Sequence, residues 1–192
     1  METITGLVLA AGFSRRFGAD KRKAPLPGGQ TLLATSLSQV LARLPEVWVV
    51  LRPEDDRRAL GIADGVNLVR GESAALGMGH SLASGIEALD QHSKANAVAI
   101  FLGDMPWIAD ETLARLFAEA GAERIVVPVH QGQPGHPVIF GRRFWPELRR
   151  LTGDEGARAV VKAHPNAVIR VEVSDPGVLR DVDVPAALIT TL

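Results

Sequence analysis

Short apolar runs alternate along the chain with longer segments in which apolar residues recur every three or four positions. Four of these runs are almost continuously apolar, which is typical of strands that are covered on both faces of a sheet. We therefore predict strands over Ile4–Leu9, Val47–Leu51, Ala97–Leu102 and 124–129.

The segments between these runs have the spacing of amphipathic helices. Their three apolar faces consist of Leu33, Leu37, Val40, Leu41 and Leu44, of Met78, Leu82, Ile86 and Leu89, and of Leu113, Leu116, Phe117 and Ala120. Asp110 precedes the third face and is expected to be the N-cap of that helix. Strands that alternate with helices predict right-handed crossovers and an α/β fold, in which helices cover both faces of a mostly parallel sheet.

The pattern changes after residue 130, where the stretch "HQGQPGHPVIFGRRF" combines glycine, proline and a short run of β-prone residues. Beyond it we predict a helix over 154–163 and a strand over 168–173. We find no repeat, low-complexity tract or linker in the sequence, so we expect residues 1–192 to form one domain.

The composition of the chain mainly excludes classes of function. A net charge of -1 argues against a broad nucleic-acid surface or an anionic membrane surface. No apolar run approaches the roughly 20 residues of a membrane span, and we expect no signal peptide. The absence of cysteine excludes disulfides, thiolate zinc sites and a cysteine nucleophile, and it fits a cytoplasmic protein.

Ligands of open α/β sheets bind beyond the carboxyl ends of the strands, so the loops at that edge are the candidate site. The loop after Leu9 begins with three small residues at positions 10–12, which let a ligand approach the backbone and its N–H groups. Arg16 and Lys21 add charge that suits phosphate. The spacing matches neither a dinucleotide fingerprint nor a Walker A loop, so these residues alone fit a phosphate loop and an ordinary basic turn equally well.

Carboxylates supply the second group of candidates. Asp104 follows a predicted strand, where it could hold magnesium or cap a turn. Asp181 and Asp183 are two residues apart and share a face if the backbone is extended, which fits a cation site or a polar strand edge. Asp154 lies at the start of the predicted helix over 154–163, where a carboxylate is also a favourable cap.

Two further stretches carry a functional and a structural interpretation. Gly77 and Gly79 precede or open a predicted helix that contains Ser81, which suits either an anion or base site or a simple helix start with Met78 in the core. His136 lies in a glycine–histidine–proline turn and has no partner at zinc-ligand spacing. Such a lone histidine is more often structural than catalytic.

The stretch "LAAGFSRRFGADK" resembles the signature L-A-[AG]-G-x-S-x-R-[FM]-G-x-x-K of the MobA-like nucleotidyltransferases. The stretches "GDMP", "GMGHSL", "GHP", "GDEGAR" and "DVDVP" are similar to further motifs of that family, most of all in the molybdenum cofactor cytidylyltransferases. The resemblance implies a Rossmann-like three-layer sandwich of the nucleotide-diphospho-sugar transferase type. It also implies that residues 1–192 are a single nucleotidyltransferase domain.

The resemblance further implies roles for individual residues. Those implied to bind the nucleotide are Leu9, Ala10, Ala11, Gly12, Arg16, Lys21, Gly77, Met78, Ser81 and Gly103. Those implied to act in catalysis are Arg16, Lys21 and Asp104, with Lys23 as the alternative to Lys21, and Asp104 and Asp183 would hold Mg²⁺. Those implied to bind the acceptor are Gly135, His136, Pro137, Asp154 and Arg158.

By the same resemblance, the acceptor is the phosphate of molybdopterin cofactor, which attacks the α-phosphorus of a nucleoside triphosphate and displaces pyrophosphate. Ala11 in "LAAG" indicates CTP, whereas "LAGG" accompanies GTP. Transient contact with a molybdenum hydroxylase is implied, and neither nucleic acid nor membrane is expected as a partner. The alternatives are a sugar or polyol phosphate acceptor, a non-catalytic carrier of molybdenum cofactor, and a nucleotide-binding regulator without catalysis.

Overall fold

A computed structural model describes residues 3–13 and 17–188 of the chain. The strands are β1 (Ile4–Leu9), β2 (Val47–Leu51), β3 (Asn67–Arg70), β4 (Ala97–Leu102), β5 (Ile125–His130), β6 (Gln133–Pro134), β7 (Val138–Gly141) and β8 (Val168–Glu172). The α-helices are α1 (Leu32–Leu41), α2 (Met78–His92), α3 (Asp110–Ala118), α4 (Trp145–Leu148) and α5 (Arg158–Ala163). Short 3₁₀ turns connect several of these elements, including Lys21–Lys23, Ala74–Leu76 and Pro176–Leu179.

All eight strands belong to one mixed sheet. Strands β3, β2, β1 and β4 are neighbours in that order and run parallel. Strand β7 is antiparallel to both β4 and β5, so β5 runs in the same direction as β4, and β8 pairs in parallel with β5. Strand β6 pairs with the end of β5, so β6 and β7 form the returning arm of one hairpin.

Two apolar cores lie on opposite faces of the sheet, because successive side chains of a strand point to opposite faces. Val8 of β1 packs in one core with side chains of α1 and α3, whereas Leu7 packs in the other with α2, α4 and α5. The predicted apolar faces of α1, α2 and α3 pack against the sheet, except for Met78 of α2, which is 43% exposed. The α/β three-layer sandwich with a mostly parallel sheet is therefore confirmed.

The boundaries of several elements differ from the prediction. Strand β5 is shifted by one residue from 124–129, and β8 ends at Glu172 rather than at residue 173. Asp110 is the first residue of α3 and not its N-cap, which is Ala109 without a side-chain cap. The Asp110 carboxylate pairs instead with Arg43, 2.6 Å away.

The predicted helix over 154–163 is wrong in its first turn, because α5 begins only at Arg158. Gly153 and Gly156 have φ values of +68° and +57°, which a right-handed helix does not contain. Strand β3 and the hairpin arm β6–β7 were not assigned in the sequence, since their residues are too few, or too often exposed, to form a continuous apolar run. In the described part of the chain, no helix has the length and apolar character that crossing a membrane requires.

Candidate functional site

A cavity of about 610 Å³ lies at the edge of the sheet where β1 and β4 end. The strands are parallel neighbours, so the loops that follow them face the same opening. The lining residues are Leu9, Ala10, Ala11, Gly12, Phe13, Lys21, Arg22, Leu32, Ala74, Ala75, Leu76, Gly77, Met78, Ser81, Leu102, Gly103, Asp104, Asp154, Asp181 and Asp183. Most of the residues predicted from the sequence to bind nucleotide or metal therefore meet in one place.

Three aspartates and a lysine meet on one side of this cavity. Asp104, Asp181 and Asp183 each place a carboxylate oxygen within 4.8 Å of the others, and we call them the acidic cluster. The Lys21 ammonium donates to Asp104 Oδ2 at 2.7 Å and to the carbonyl oxygen of Val182 at 2.9 Å. It also lies 3.5 Å from Asp183 Oδ1. Lys21 therefore balances part of the negative charge of the cluster.

Backbone hydrogen bonds hold the acidic cluster together. The N–H of Gly103 donates to the carbonyl of Leu9 at 3.0 Å, which continues the pairing of β1 and β4 up to the residue before Asp104. The N–H of Val182 donates to the carbonyl of Asp104, also at 3.0 Å. This second bond fixes the segment that carries Asp181 and Asp183 to the end of β4.

The structure distinguishes between Lys21 and Lys23, the two candidate phosphate-binding lysines. Asp20 caps the 3₁₀ turn Lys21–Lys23, because its carboxylate accepts a hydrogen bond from the N–H of Arg22. The turn directs Lys21 into the cavity and leaves Lys23 exposed. Lys21 is therefore the lysine that stands at the acidic cluster.

The acidic cluster has the character of a site for a hard cation. Burial raises the pKa of Asp181, and the nearby carboxylates of Asp183 and Asp104 raise it further. Asp104 Oδ1 is buried, and no described residue forms a hydrogen bond with it. Magnesium and similar cations prefer carboxylate oxygens, so a divalent cation would satisfy this atom and reduce the repulsion among the three carboxylates.

The start of α2 forms the wall opposite the acidic cluster. Gly77 is its N-cap with φ +123°, and the N–H of Gly79 donates to the carbonyl of Gly153 at 2.7 Å. A Cβ atom on Gly77 would lie 2.4 Å from Asp154 Oδ1 and 2.5 Å from the Gly153 carbonyl oxygen. Only glycine permits this contact, which brings Asp154 to the cavity.

We expect Gly77→Ala to lower the free energy of unfolding by about 1–3 kcal/mol, because alanine adds both backbone strain and a clash. Gly28→Ala is the matched control, since a Cβ atom there meets nothing within 4 Å and its φ is not in the left-handed region. Urea unfolding of both variants measures the difference. Equal stability of the two variants would contradict the role of this contact.

Met78 and Ser81 occupy different positions in the same wall. Ser81 is buried beside the cavity, whereas Met78 is 43% exposed and lies at its mouth rather than in the core. Phe13 and Leu76 are also exposed there, so the mouth has an apolar rim.

The turn Gly135–His136–Pro137 does not line the cavity, although it lies close to the acidic cluster. Burial lowers the pKa of His136, and the charge of Asp104 acts in the opposite direction. The His136 N–H donates to the carbonyl of Val178 at 2.8 Å, and Nδ1 is buried without a partner among the described residues. The peptide bond from His136 to Pro137 is cis. The turn therefore lies near the acidic cluster but outside the lining of the cavity.

Arg158, like the turn Gly135–His136–Pro137, was predicted to bind the acceptor but does not line the cavity. It is exposed at the first position of α5. Arg16 lies outside the described residues.

Sequence reasoning missed two arginines that contact the loop after β1, Arg22 and Arg52. Arg22 is only 5% exposed and pairs with Asp20 and Asp55. Nothing in the run "DKRKA" distinguishes a buried arginine from a solvated one, because one of its carboxylate partners is 33 positions away.

Comparison with known proteins identifies the family. Residues 6–168 match the model of the MobA-like NTP transferase domain. The purine catabolism protein PucB of Bacillus subtilis (strain 168) is 34% identical over 194 residues, which cover 95% of this chain and 92% of PucB. A probable molybdenum cofactor guanylyltransferase of Mycobacterium bovis (strain BCG / Pasteur 1173P2) is 33% identical over 189 residues, with 96% and 91% coverage.

Solved structures agree with this result. The Rv0371c homologue from Mycobacterium sp. strain JC1 has a TM-score of 0.81 and 33% identity, covering 96% of this chain and 92% of that chain. Rv0371c of Mycobacterium tuberculosis H37Rv, in complex with manganese, has a TM-score of 0.74 and 29% identity, with 89% and 88% coverage. The family signature predicted from the sequence is thus confirmed, and this chain is a nucleotidyltransferase that belongs to the MobA-like family.

Proposed function

We propose that the protein transfers CMP from CTP to the phosphate of molybdopterin cofactor and releases pyrophosphate. The observation that carries this proposal is the meeting of Lys21, Asp104 and Asp183 at one cavity, beside the loop that follows β1. The Lys21 ammonium suits the phosphate oxygens of a triphosphate, and the carboxylates at the same opening suit a divalent metal ion that is bound with it.

We propose Mg²⁺ as that metal ion, held by Asp104 and Asp183. The donor set fits, since both side chains offer oxygen atoms and one oxygen of Asp104 is buried without a partner among the described residues. When bound, the ion would supply positive charge that stabilises the phosphate oxygens during transfer. The manganese complex of the related Rv0371c supports a divalent cation in this fold.

The chain contributes mainly positioning and charge. A phosphate monoester is an anionic nucleophile already, so its attack on the α-phosphorus needs no strong general base. The bond between the α-phosphorus and its bridging oxygen breaks, and that oxygen leaves with pyrophosphate. Lys21 would bind phosphate oxygens of the triphosphate as a point charge, and Arg16 would assist it. Ser81 and Gly77 would contact the nucleotide from the opposite wall.

Ala11 supports CTP as the nucleotide. It lines the cavity, and the resemblance associates the alanine of "LAAG" with CTP and the glycine of "LAGG" with GTP. GTP is the alternative, because one relative carries the name of a guanylyltransferase.

We propose that the acceptor lies between Asp154, on the wall formed by the start of α2, and the turn Gly135–His136–Pro137 near the acidic cluster. Asp154 lines the cavity, and His136 lies near Asp104, so both are within reach of a group that attacks at the acidic cluster. Arg158, at the exposed start of α5, would contact the acceptor from outside the cavity. Transient delivery to a molybdenum hydroxylase and a cytoplasmic location complete the proposal, and both rest on the resemblance to molybdenum cofactor cytidylyltransferases.

Pyrophosphate release with each of the four nucleoside triphosphates tests the proposal. The purified protein is mixed with Mg²⁺, molybdopterin cofactor and CTP, GTP, ATP or UTP, and each reaction is repeated without the acceptor. We expect release with CTP, dependent on the acceptor. Release with GTP instead would retain the transfer and overturn the choice of base. Binding of CTP without any release would exclude molybdopterin cofactor as the acceptor and favour a sugar phosphate, a polyol phosphate or a non-catalytic role.

A further inference from the structure

Three consecutive carbonyl oxygens of the loop after β1 accept hydrogen bonds from two arginines. Arg22 Nη1 donates to the carbonyl of Ala10 at 2.8 Å. Arg52 Nε donates to the carbonyl of Ala11 at 3.4 Å, and Arg52 Nη2 donates to the carbonyl of Gly12. One side of this loop is therefore covered by guanidinium groups.

All five N–H donors of Arg22 have acceptors. Nε and Nη2 donate to the carboxylate of Asp20 at 2.8 and 2.7 Å, and Nη1 and Nη2 donate to that of Asp55 at 2.5 and 2.8 Å. The fifth donor bonds to Ala10. Burial alone would lower the pKa of Arg22, but the hydrogen bonds that it donates to both carboxylates outweigh this effect and raise the pKa above its usual range. A lysine has three donors and no planar fork, so it cannot replace this set.

Arg52 is joined to the same network. Its backbone N–H donates to Asp55 Oδ2 at 2.8 Å, and its guanidinium lies 4.4 Å from the centre of the Phe13 ring. Asp55 thus links the two arginines, and Arg52 is only half-buried.

The direction of the carbonyls fixes the direction of the N–H groups. In a trans peptide unit the C=O and N–H bonds point to opposite sides. The N–H groups of Ala11, Gly12 and Phe13 therefore point away from the arginines. No residue in the ranges 3–13 and 17–188 accepts a hydrogen bond from them, and all three residues line the cavity.

We propose that Arg22 and Arg52 are positioning residues, which turn three backbone N–H groups of this loop toward acceptor atoms of the bound nucleotide. Neither arginine needs to touch the nucleotide, because each acts through a carbonyl of the loop. This inference rests on the proposed function, since it requires a nucleotide in the cavity. Consecutive N–H groups that face one way form a site for anionic oxygens without any side chain.

Arg22→Lys and Arg52→Lys test the inference, because both keep the positive charge but lose the planar guanidinium and its set of donors. Isothermal titration with CTP and Mg²⁺ is expected to show an approximately tenfold higher Kd for each variant, which corresponds to about 1.4 kcal/mol. Arg52 is half-buried, so Arg52→Lys provides a folded variant if Arg22→Lys is unstable.

Arg57→Lys is the matched control. Arg57 also holds carbonyls of a neighbouring loop, those of Ile62, Ala63 and Val66, and none of these residues lines the cavity. We expect its Kd for CTP to stay within about twofold of the wild-type value. A loss as large as in Arg52→Lys would overturn the inference, and so would wild-type affinity in both test variants.

Amide hydrogen exchange gives a readout that a purely structural role would not produce. In the wild-type protein and in Arg57→Lys, CTP is expected to slow exchange at residues 11–13. Binding of CTP without this protection would overturn the inference while leaving the proposed function intact. Failure of the wild-type protein to bind any of the four triphosphates would instead overturn the proposed function, and with it the inference.

Inorganic tripolyphosphate serves as a second probe, because phosphate oxygens and the base both offer acceptor atoms. Weaker tripolyphosphate binding in Arg22→Lys and Arg52→Lys would assign the N–H groups to phosphate. Unchanged tripolyphosphate binding together with weaker CTP binding would assign them to the base.

Discussion

Replacement of Asp104 by asparagine is expected to lower kcat for pyrophosphate release by about 100- to 1000-fold. Asparagine keeps the shape of the side chain but removes the charge that pairs with Lys21 at 2.7 Å. It also replaces one of the two carboxylate oxygens, either Oδ2 or the buried Oδ1, with an amide nitrogen. That nitrogen is a hydrogen-bond donor and cannot hold a cation. Steady-state rates at saturating CTP, Mg²⁺ and acceptor measure the effect.

Asp90→Asn is the matched control for this prediction. Asp90 is also a partly buried aspartate in ion pairs, with Arg142 at 3.3 Å and Arg149 at 2.7 Å, and it does not line the cavity. We expect wild-type turnover from this variant. Full activity of Asp104→Asn, or an equal loss in Asp90→Asn, would refute the assignment of Asp104 to the reaction. Titration with Mn²⁺ gives a separate readout, since Asp104→Asn should bind the ion more weakly than the wild-type protein.

Replacement of Lys21 by alanine is expected to reduce kcat/KM for CTP by about 100-fold or more. The substitution removes the ammonium that would bind the triphosphate, and it also removes the positive charge that faces Asp104 and Asp183. The initial rate as a function of CTP concentration measures this loss. Because the carboxylates repel each other more strongly without Lys21, the protein without nucleotide should also be less stable, and Mg²⁺ should restore part of that stability.

Lys23→Ala separates a specific role from a general effect of positive charge. Lys23 is two residues from Lys21 in the same 3₁₀ turn, but it is exposed and does not line the cavity. Its removal changes the net charge equally, so we expect kcat/KM close to the wild-type value. Comparable losses in the two variants would mean that the turn attracts the triphosphate through its overall charge rather than through Lys21.

The sheet and its layers could be predicted because buried parallel strands are visible as apolar runs. The runs at Ile4–Leu9 and Ala97–Leu102 became β1 and β4 with their predicted bounds. Because both strands are parallel, the loops that follow them lie at the same edge of the sheet. The sequence therefore predicts that Lys21 and Asp104 lie at one site. Asp183 was found through its spacing from Asp181 and through the family motif.

The arginine contacts could not be predicted, because they depend on where distant carboxylates lie. Arg22 and Arg52 look like solvated charges in the sequence, and only the fold brings Asp55 to Arg22. The prediction of a helical first turn at residue 154 was wrong because this segment packs against a part of the chain that is distant in sequence. Gly153 adopts a left-handed conformation and packs against the start of α2, where Gly79 provides the N–H that binds its carbonyl.

The hydrogen bond between Val182 and the Asp104 carbonyl joins the C-terminal segment 181–183 to the end of β4, and this determines when the acidic cluster is completed during folding. Lys21 is 83 positions from Asp104 and 162 positions from Asp183, so both pairings close long loops of the chain. A nascent chain that extends just past β4 to Asp104 has four parallel strands and two of these three residues, but Asp183 is still missing. If the protein binds a triphosphate with a metal ion as proposed, that binding requires the segment 181–183 to dock first, so the site is completed late in folding.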